Sequence, residues 1–516
     1  MRHHWLAGLA LSALTLLTAG PAMAEWRRAE TPRFIVYSDG NEHSLRNSAL
    51  QLELYESALR NLHGLDPNGA SPQKIAIYLV RGTADLKAVE PELRDEVAGF
   101  YQATNDEIYA LAIRERRDMQ TLLHEYAHHF MIGSFATGFP AWFVEGYAEY
   151  FASAELQPTR MVVGDVNRGR ADWLQYNAWM PLNLILTRRP FEFEDPKAVS
   201  MYYAQSWLLT HWFVASPQRM PMLYAYLDNL KRGMEAIPAM EAATGMTVAQ
   251  LERQQQAYVR QRMAIKIITS EQFRQPEIKI TTLSSAEGDL LLLGLRLSST
   301  QGEDAALLAD IQRRTAPYAG QRAADLLLAR AELKLGDKAQ AAAILERMQA
   351  AAPDDVDVLR LLGDTLFEQA RDQGADPELL RQARVHLARA YRLNPDDYRV
   401  LTLLAETRQG SPDFPSDNDV ETLLAALDLA PQVSGTRIFT AQIRAHRKEY
   451  PQAIALLQPL AASPHPDGST ALARALIERF RAEMTPPDET ASVEAATDEA
   501  APEEDAASEA ASDATE

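Results

Sequence analysis

The sequence predicts an α+β domain followed by an all-α solenoid of helical repeats, and three observations indicate this division. Segments with the patterns of strands and of helices alternate between residues 25 and 275. From residue 283 onward the chain is rich in Ala and Leu, has helical periodicity and carries prolines at regular intervals. A His-Glu-x-x-His pentad lies within an apolar helical pattern of the first part. We therefore expect the chemistry of this protein in the α+β domain.

The amino terminus has the features of an export signal. A short basic start is followed by an apolar run over residues 5–19 and by the small residues Ala22 and Ala24, so we expect a signal peptide at 1–24. The apolar run is shorter than the roughly 20 residues of a membrane span, and a retained anchor is the alternative. The chain has no cysteine, which excludes disulfides and a lipid-modified amino-terminal cysteine. These features predict a soluble exported protein, periplasmic or secreted, with no membrane span after signal cleavage.

The segments that follow predict strands and one long helix. Residues 33–38, 74–80 and 106–113 have the apolar, β-branched and aromatic composition of strands. Residues 42–62 have helical periodicity, with an apolar stripe formed by Leu45, Ala49, Leu52, Tyr55 and Leu59. The third strand lies directly before the helix that carries the pentad.

The pentad, at residues 124–128, has the spacing of a metal site. His124 and His128 are four residues apart, so on a helix their imidazoles lie on one face and reach one metal ion together. Glu125 lies beside His124 and is not needed as a ligand. It is therefore available as the general base that takes a proton from a water molecule attacking a carbonyl.

A second helix-like segment, at residues 138–151, offers a third ligand. Pro140 suits the start of this helix, and Glu145 and Glu149 then share one face. A hydrolytic zinc site needs three protein ligands and one open position, so Glu145 is expected to bind the metal. Glu149, one turn later, is placed to accept a hydrogen bond from the free ring nitrogen of His124. An exposed acidic face is the alternative, but both glutamates lie among aromatic residues.

The motif HEYAH followed by WFVEGYAEYF resembles the gluzincin (peptidase-MA-like) zinc metallopeptidases. The resemblance implies a thermolysin/aminopeptidase-like zincin domain over residues 25–275 with one Zn²⁺ per chain. It also implies that His124, His128 and Glu145 are the zinc ligands, Glu125 the general base and Glu149 an acid behind the ligands. The gap between His128 and Glu145 is shorter than in typical aminopeptidases. No G-A-M-E-N-like segment for gripping a substrate amino terminus is found, which argues against a plain aminopeptidase.

The same resemblance implies two contacts with a peptide substrate. One strand would border the cleft and pair with an extended peptide through Tyr109, Ala110, Leu111 and Ala112. The alternative for this strand is burial as an ordinary member of the sheet. A downstream tyrosine would donate a hydrogen bond to the oxyanion, with Tyr203 as the candidate and Tyr202 as the alternate. For both tyrosines the alternative is packing in the core.

The second part of the chain resembles tetratricopeptide (TPR) arrays over residues 283–483. Its prolines recur at intervals of 33 to 42 residues, close to the 34 of that repeat, at Pro317, Pro353, Pro395, Pro431 and Pro464. The longest interval predicts an insertion near residues 372–377. A single helical hairpin cannot bury its apolar face alone, which explains the repetition. An irregular helical bundle is the alternative.

The charge is negative and partly local. The formal net charge of −20 argues against nucleic acid as a partner. Residues 485–516 contain eleven acidic side chains and no Lys or Arg, so we expect the acidic segment 484–516 to be a disordered tail.

Three functions from different classes fit these observations. The leading hypothesis is an exported zinc-dependent peptidase, an endopeptidase, that hydrolyses peptide bonds with a zinc-activated water and recruits protein substrates or partners through its TPR repeats. The alternative is a catalytically weak or inactive peptidase-like scaffold that acts through its repeats. A third hypothesis is a narrow peptidase that trims peptides or cell-wall stems, and the sequence does not separate it from the first.

Overall fold

A computed structural model describes residues 25–71, 73–95, 97–114, 119–135, 137–157, 159–464 and 468–484. The predicted signal peptide at 1–24 lies outside these residues, as does the predicted acidic tail from residue 485 onward. None of the helices in the described part of the chain is both long and apolar enough to cross a membrane.

The first part of the chain mixes strands and helices, in the order β1 (Arg27–Glu30), β2 (Phe34–Ser38), α1 (Glu42–Leu62), β3 (Ile75–Val80), α2 (Thr83–Val89), β4 (Gly99–Ala103), β5 (Ile108–Ile113), α3 (Gln120–Ser134), α4 (Ala141–Ala152), β6 (Glu155–Gln157), β7 (Arg160–Val163), α5 (Arg168–Tyr176), α6 (Leu182–Thr187), α7 (Pro196–Val214), α8 (Met220–Lys231), α9 (Ala236–Thr244), α10 (Val248–Tyr258), β8 (Lys266–Thr269) and β9 (Lys279–Thr282). The second part is helical, in the order α11 (Ser285–Ser299), α12 (Ala305–Thr315), α13 (Arg322–Leu335), α14 (Lys338–Ala351), α15 (Val356–Asp372), α16 (Pro377–Leu393), α17 (Tyr398–Glu406), α18 (Asp417–Leu429), α19 (Ser434–His446), α20 (Tyr450–Ala461) and α21 (Gly468–Met484). The chain is thus rich in helix and contains small sheets.

The larger sheet is mixed and has six strands in the order β4-β5-β3-β2-β1-β9. The strands β2, β3 and β5 are parallel, with Val36 opposite Ile77 and Ile77 opposite Ala110. The outer strands run antiparallel to their neighbours, β4 beside β5 at one edge and β9 beside β1 at the other. A smaller antiparallel sheet has the order β6-β7-β8.

The structure contradicts the prediction that residues 109–112 pair with a peptide. These residues belong to β5, which is paired with β3 on one side and with β4 on the other. The backbone groups that a peptide would need are therefore already used by the sheet, and all four side chains are buried. Burial as an ordinary sheet member, the alternative for this strand, is what the structure has. The edge of the sheet nearest α3 is β4.

Both faces of the larger sheet are covered because β3 is apolar at every position. Ile75, Ile77 and Leu79 lie in one core with α1 and α3, and the whole predicted stripe of α1 is buried there. Asn41 caps α1 by accepting a hydrogen bond from the N–H of Ser44 at 2.8 Å. The opposite face of β3 packs against α2 and α11, which contributes Leu295.

The end of the α+β domain lies beyond the predicted boundary at residue 275. Residues 279–282 form β9, the edge strand beside β1. The following helix, α11, belongs both to the core on the sheet and to a core with α12 and α13. The two parts of the chain therefore share an element.

The second part is an array of helix pairs, which we call the repeat array (residues 285–484). Each helix packs against the next one in the chain, and the first helices of several neighbouring pairs also touch. Pro353 and Pro395 follow the ends of α14 and α16, and two residues later Asp355 and Asp397 cap the next helix. Of the predicted insertion, residues 373–376 form the turn between α15 and α16, and these two helices have 17 residues each, against 14 for α13 and α14.

Candidate metal centre

The pentad and its third partner lie on two packed helices, α3 and α4. The Nε2 atoms of His124 and His128 are 3.1 Å apart. Glu145 Oε2 lies 3.4 Å from His124 Nε2 and 3.6 Å from His128 Nε2. One ligand atom of each of these residues lies within 4.8 Å of the others, and among the described residues this is the group of three that can hold a metal ion. The structure brings together the three residues that the sequence predicted as ligands, and their role remains a prediction.

The burial of Glu145 depends on a close helix contact. The side chain of Glu145 has no solvent exposure, because α4 is apolar on nearly all sides and packs along α7. The next residue, Gly146, faces α7, where an added Cβ would lie 2.3 Å from the carbonyl oxygen of Ser206 and 2.2 Å from Thr210 Oγ1. Only glycine permits this approach. The contact sets the distance between α4 and α7, and with it the position of Glu145 relative to His124 and His128.

Glu149 lies behind His124 in a buried network. Its Oε1 atom is 3.4 Å from His124 Nδ1. Arg170 donates two hydrogen bonds to the carboxylate, at 2.8 and 2.5 Å, and Asn167 Nδ2 donates a third at 3.1 Å. A carboxylate held in this way by a bidentate arginine has a fixed orientation. The placement suits the predicted role of Glu149 in orienting His124, which stays a prediction.

Sequence reasoning missed Arg170 and Asn167 as members of the site. Neither side chain was assigned a role in the sequence analysis. Asn167 caps α5 by accepting a hydrogen bond from the N–H of Arg170 at 3.2 Å. A capping asparagine followed three residues later by arginine is a signal that predicts the helix start, but not the acid to which the arginine turns.

The two candidate tyrosines have different surroundings. Tyr203 lines the cavity at the site, with its ring 6.3 Å from that of His124 and the guanidinium of Arg170 5.1 Å from its centre. Tyr202 points into the core, where its hydroxyl donates to the carbonyl of Arg188 at 3.0 Å. The alternate is thus used in packing, and the candidate faces the site.

The acidic side chains at the site raise the pKa of both His124 and Tyr203. Burial lowers the pKa of His124, but the hydrogen bond and charge of Glu145 and the charge of Glu149 outweigh burial and raise it to about 9. Burial and the charge of Glu145 raise the pKa of Tyr203 above its usual range. The hydroxyl of Tyr203 therefore keeps its proton at neutral pH and is available as a donor.

A cavity of about 400 Å³ opens onto these groups. His124, Glu125, Glu149, Arg170 and Tyr203 line it, together with Trp173 and the start of α3. None of the residues 109–112 does. The cavity thus combines one of the three candidate ligands, His124, with the carboxylates of Glu125 and Glu149 and the hydroxyl of Tyr203.

Comparisons with known proteins identify no family. No protein-family model matches the sequence, and no curated protein matches it. Among solved structures the chain is similar to a thermophilic TPR protein from Thermus thermophilus, with 21% sequence identity and a TM-score of 0.31, over 37% of this chain and 98% of that chain. The repeat array itself is defined by the pairing of its successive helices.

Proposed function

We propose that this protein is a metal-dependent peptidase with a zincin-like domain, in which His124, His128 and Glu145 hold one Zn²⁺. The observation that carries the proposal is the convergence of these three ligand atoms within 4.8 Å of one another, next to a cavity. Two imidazole nitrogens and one carboxylate oxygen form the ligand set of many hydrolytic zinc sites.

The spacing of the ligand atoms supports a tetrahedral ion. Metal–ligand distances of about 2.0–2.1 Å in a tetrahedron separate neighbouring ligand atoms by about 3.3–3.4 Å. The three separations here are 3.1, 3.4 and 3.6 Å, so an ion fits with small shifts of the side chains. Three protein ligands would leave a fourth position for water or substrate, which a catalytic zinc site needs.

The other residues of the cavity have separate tasks in the proposed reaction. A divalent metal supplies a Lewis acid that polarises a carbonyl and lowers the pKa of water towards about 7. Glu125 accepts the proton of the attacking water on its carboxylate, since it follows the ligand His124 on α3 and lines the same cavity. Tyr203 donates a hydrogen bond to the substrate oxygen as that oxygen gains negative charge.

Glu149 and its partners hold His124 in the orientation that metal binding needs. A ligand histidine needs a fixed ring orientation and a free Nε2, which follow when Nδ1 donates to a neighbouring carboxylate. Arg170 and Asn167 hold Glu149 in place for this purpose and offset the cost of burying its charge. Glu145 and Glu149 raise the pKa of His124. The imidazole therefore has to release a proton when it binds a metal ion.

The proposal includes export and a role for the repeat array with protein ligands. The first rests on the signal-like amino terminus, and the second rests on the paired helices, which are the architecture of many protein-binding solenoids. The substrate class is a peptide or protein. A negative activity test would favour the alternative, a scaffold without catalytic activity.

The test compares metal content and hydrolysis in the wild type and in Glu125→Gln. We expect about one zinc per chain in both proteins, and hydrolysis of a denatured protein and a peptide library lowered about 10²- to 10⁴-fold in Glu125→Gln. His128→Ala is expected to lose the metal and the activity together. Glu155→Gln, at an exposed glutamate of β6, is the matched control and should keep both.

The outcomes separate the hypotheses. Equal hydrolysis by the wild type and Glu125→Gln would refute the assigned base. Bound zinc without hydrolysis of any peptide or protein in the wild type would favour the scaffold.

A further inference from the structure

The turn between β4 and β5 lies against the repeat array. In this turn the N–H of Thr104 donates to the carbonyl of Glu107 at 2.9 Å, and the hydroxyl of Thr104 accepts from the N–H of Glu107 at 3.0 Å. We call residues 104–107 the hairpin tip. The helices α11, α13, α15, α17 and α19 are the first members of successive pairs, and the surface that they form is here called the inner face.

Backbone atoms of the hairpin tip accept hydrogen bonds from α17. The hydroxyl of Tyr398 donates to the carbonyl of Thr104 at 3.3 Å, and Nη1 of Arg399 donates to the carbonyl of Asp106 at 3.4 Å. Asp397 fixes the guanidinium of Arg399 by accepting hydrogen bonds at 2.8 and 2.7 Å. Contacts to carbonyl groups depend on the shape of the turn, so α17 recognises the folded hairpin.

The first helix of the next pair, α19, approaches the tip so closely that its Gly435 faces Asn105 directly. A Cβ at Gly435 would lie 2.5 Å from Asn105 Oδ1, 3.0 Å from Nδ2 and 3.1 Å from Cγ. Ile108, directly after the tip, packs against an apolar cluster formed by Tyr398, Leu401, Ala426, Ala430 and Val433. The hairpin is thus held by shape and by apolar contact as well as by hydrogen bonds.

Charges on the two sides are complementary. Lys334 on α13 lies 3.8 Å from Asp106. Burial raises the pKa of Glu107, and the positive charges of Arg330 and Arg399 oppose that rise. The two acids of the tip therefore meet cations from α13 and α17.

The hairpin and the array also contact α3, the helix that carries the candidate ligands His124 and His128 and is here called the metal helix. On β4, the hydroxyl of Tyr101 lies 3.0 Å from Nδ1 of His129, the residue after His128 on α3. From the array, Gln432 Nε2 donates to the carbonyl of His129 at 3.3 Å and approaches Gly133. The array therefore contacts α3 directly and also through β4.

We infer that the inner face of the repeat array is a binding surface for the β4–β5 hairpin of the same chain, and that this contact positions the metal helix α3. The second half of this inference rests on the proposed function, whereas the first half does not. The array is then part of the catalytic unit. A protein partner that enters the inner face at α17 and α19 has to displace the hairpin tip, and its binding would be coupled to the state of α3.

The test uses the full chain and a pair of complementary substitutions. Gly435→Ala places a methyl group within 2.5–3.1 Å of side-chain atoms of Asn105, so this side chain and the tip that carries it must shift, and Asn105→Ala removes the three atoms that the methyl group meets. We expect backbone amide exchange in residues 99–113 of Gly435→Ala to be about tenfold faster or more. Exchange in the double variant should return towards the wild-type rate, because the added methyl group then fits.

Two further proteins keep the test decisive. Gly468→Ala is the matched control, since a Cβ at this glycine of α21 meets nothing within 4 Å, and its exchange should be unchanged. Tyr398→Phe removes only the hydrogen bond to Thr104 and should accelerate exchange in the same segment by a smaller factor, so the inference stays testable if Gly435→Ala does not fold.

Hydrolysis of a peptide measures the link to the metal helix. We expect activity to fall in Gly435→Ala and to recover in the double variant, in parallel with exchange. Unchanged exchange at 99–113 in both Gly435→Ala and Tyr398→Phe, or no recovery in the double variant, would overturn the inference. If exchange changes and recovers in the variants as expected but the wild type hydrolyses no peptide, the hairpin contact is supported and the proposed peptidase activity is refuted. Exchange that responds while activity does not would separate the contact from the positioning of α3.

Discussion

Gly146 offers a direct test of how the fold sets the position of Glu145, the proposed metal ligand beside it. A methyl group there meets the backbone of α7 at 2.3 Å, whereas nonbonded carbon and oxygen atoms lie about 3.3–3.6 Å apart. The helices α4 and α7 must therefore separate locally by about 1 Å in Gly146→Ala. Glu145 is carried on α4 and moves with it, away from or across the two histidines.

The expected cost follows from two opposing effects. Overpacking of a core costs about 1–3 kcal/mol, and the contact with a backbone carbonyl, which cannot rotate away, favours the upper end. Alanine gains up to about 1 kcal/mol over glycine within a helix. The free energy of unfolding should therefore fall by about 2 kcal/mol. Metal affinity should fall about 10–100-fold, as when a residue that supports a ligand is lost.

Urea unfolding followed by tryptophan fluorescence and competition for zinc with a chelator measure the two effects. Gly169→Ala is the matched control, because this glycine of α5 lines the same cavity and an added Cβ lies 3.7 Å from its nearest neighbour. The control should be as stable as the wild type or more stable. A Gly146→Ala protein with the stability and metal affinity of Gly169→Ala would refute the close contact of α4 with α7.

Two further predictions concern carboxyl groups. Glu149→Gln keeps the shape of the side chain but removes the charge that faces His124 and Arg170, so zinc affinity measured by chelator competition should weaken about 10–100-fold while the protein stays folded; unchanged affinity would limit Glu149 to a role in packing. In the repeat array, burial raises the pKa of Asp364 and of Glu406 to about 7. The folded array then keeps protons that the unfolded chain releases near pH 4, so the free energy of unfolding should fall as the pH rises from about 4 to about 7 and level off above it. Asp364→Asn/Glu406→Gln should shrink the difference between urea unfolding at pH 5 and at pH 8, and an unchanged difference would assign the pH dependence to other groups.

The features that the sequence predicted are those with a local signal. The apolar stripe of α1 repeats with helical periodicity, and all five of its residues are buried. The residues of the pentad and of the W-x-x-E-G segment lie on helices whose spacing brings His124, His128 and Glu145 together. Proline followed by aspartate marks the starts of α15 and α17 in the array. Each of these signals depends on residues within one or two helical turns.

The features that the sequence did not predict depend on partners far along the chain. Strand composition does not give strand order, so the position of β5 inside the sheet could not be foreseen from residues 108–113. Tyr202 and Tyr203 are neighbours within α7, and only the packing of this helix decides which of them faces the cavity. The bond between Arg170 and Glu149 joins two helices, and no pattern within either helix indicates it.

The pairing of β9 with β1 and the double use of α11 bear on how the chain folds during synthesis. The strand β1 begins at residue 27 and its partner β9 ends at residue 282, so the edge of the sheet closes only after that length has been made. The face of β3 that packs against α2 is covered completely only when α11 follows, and strand pairings over such distances form slowly. For the export that we propose, a slow closure keeps the chain open for passage through a membrane. The core on this face of the sheet is then complete only when α11, the first helix of the array, has packed against it.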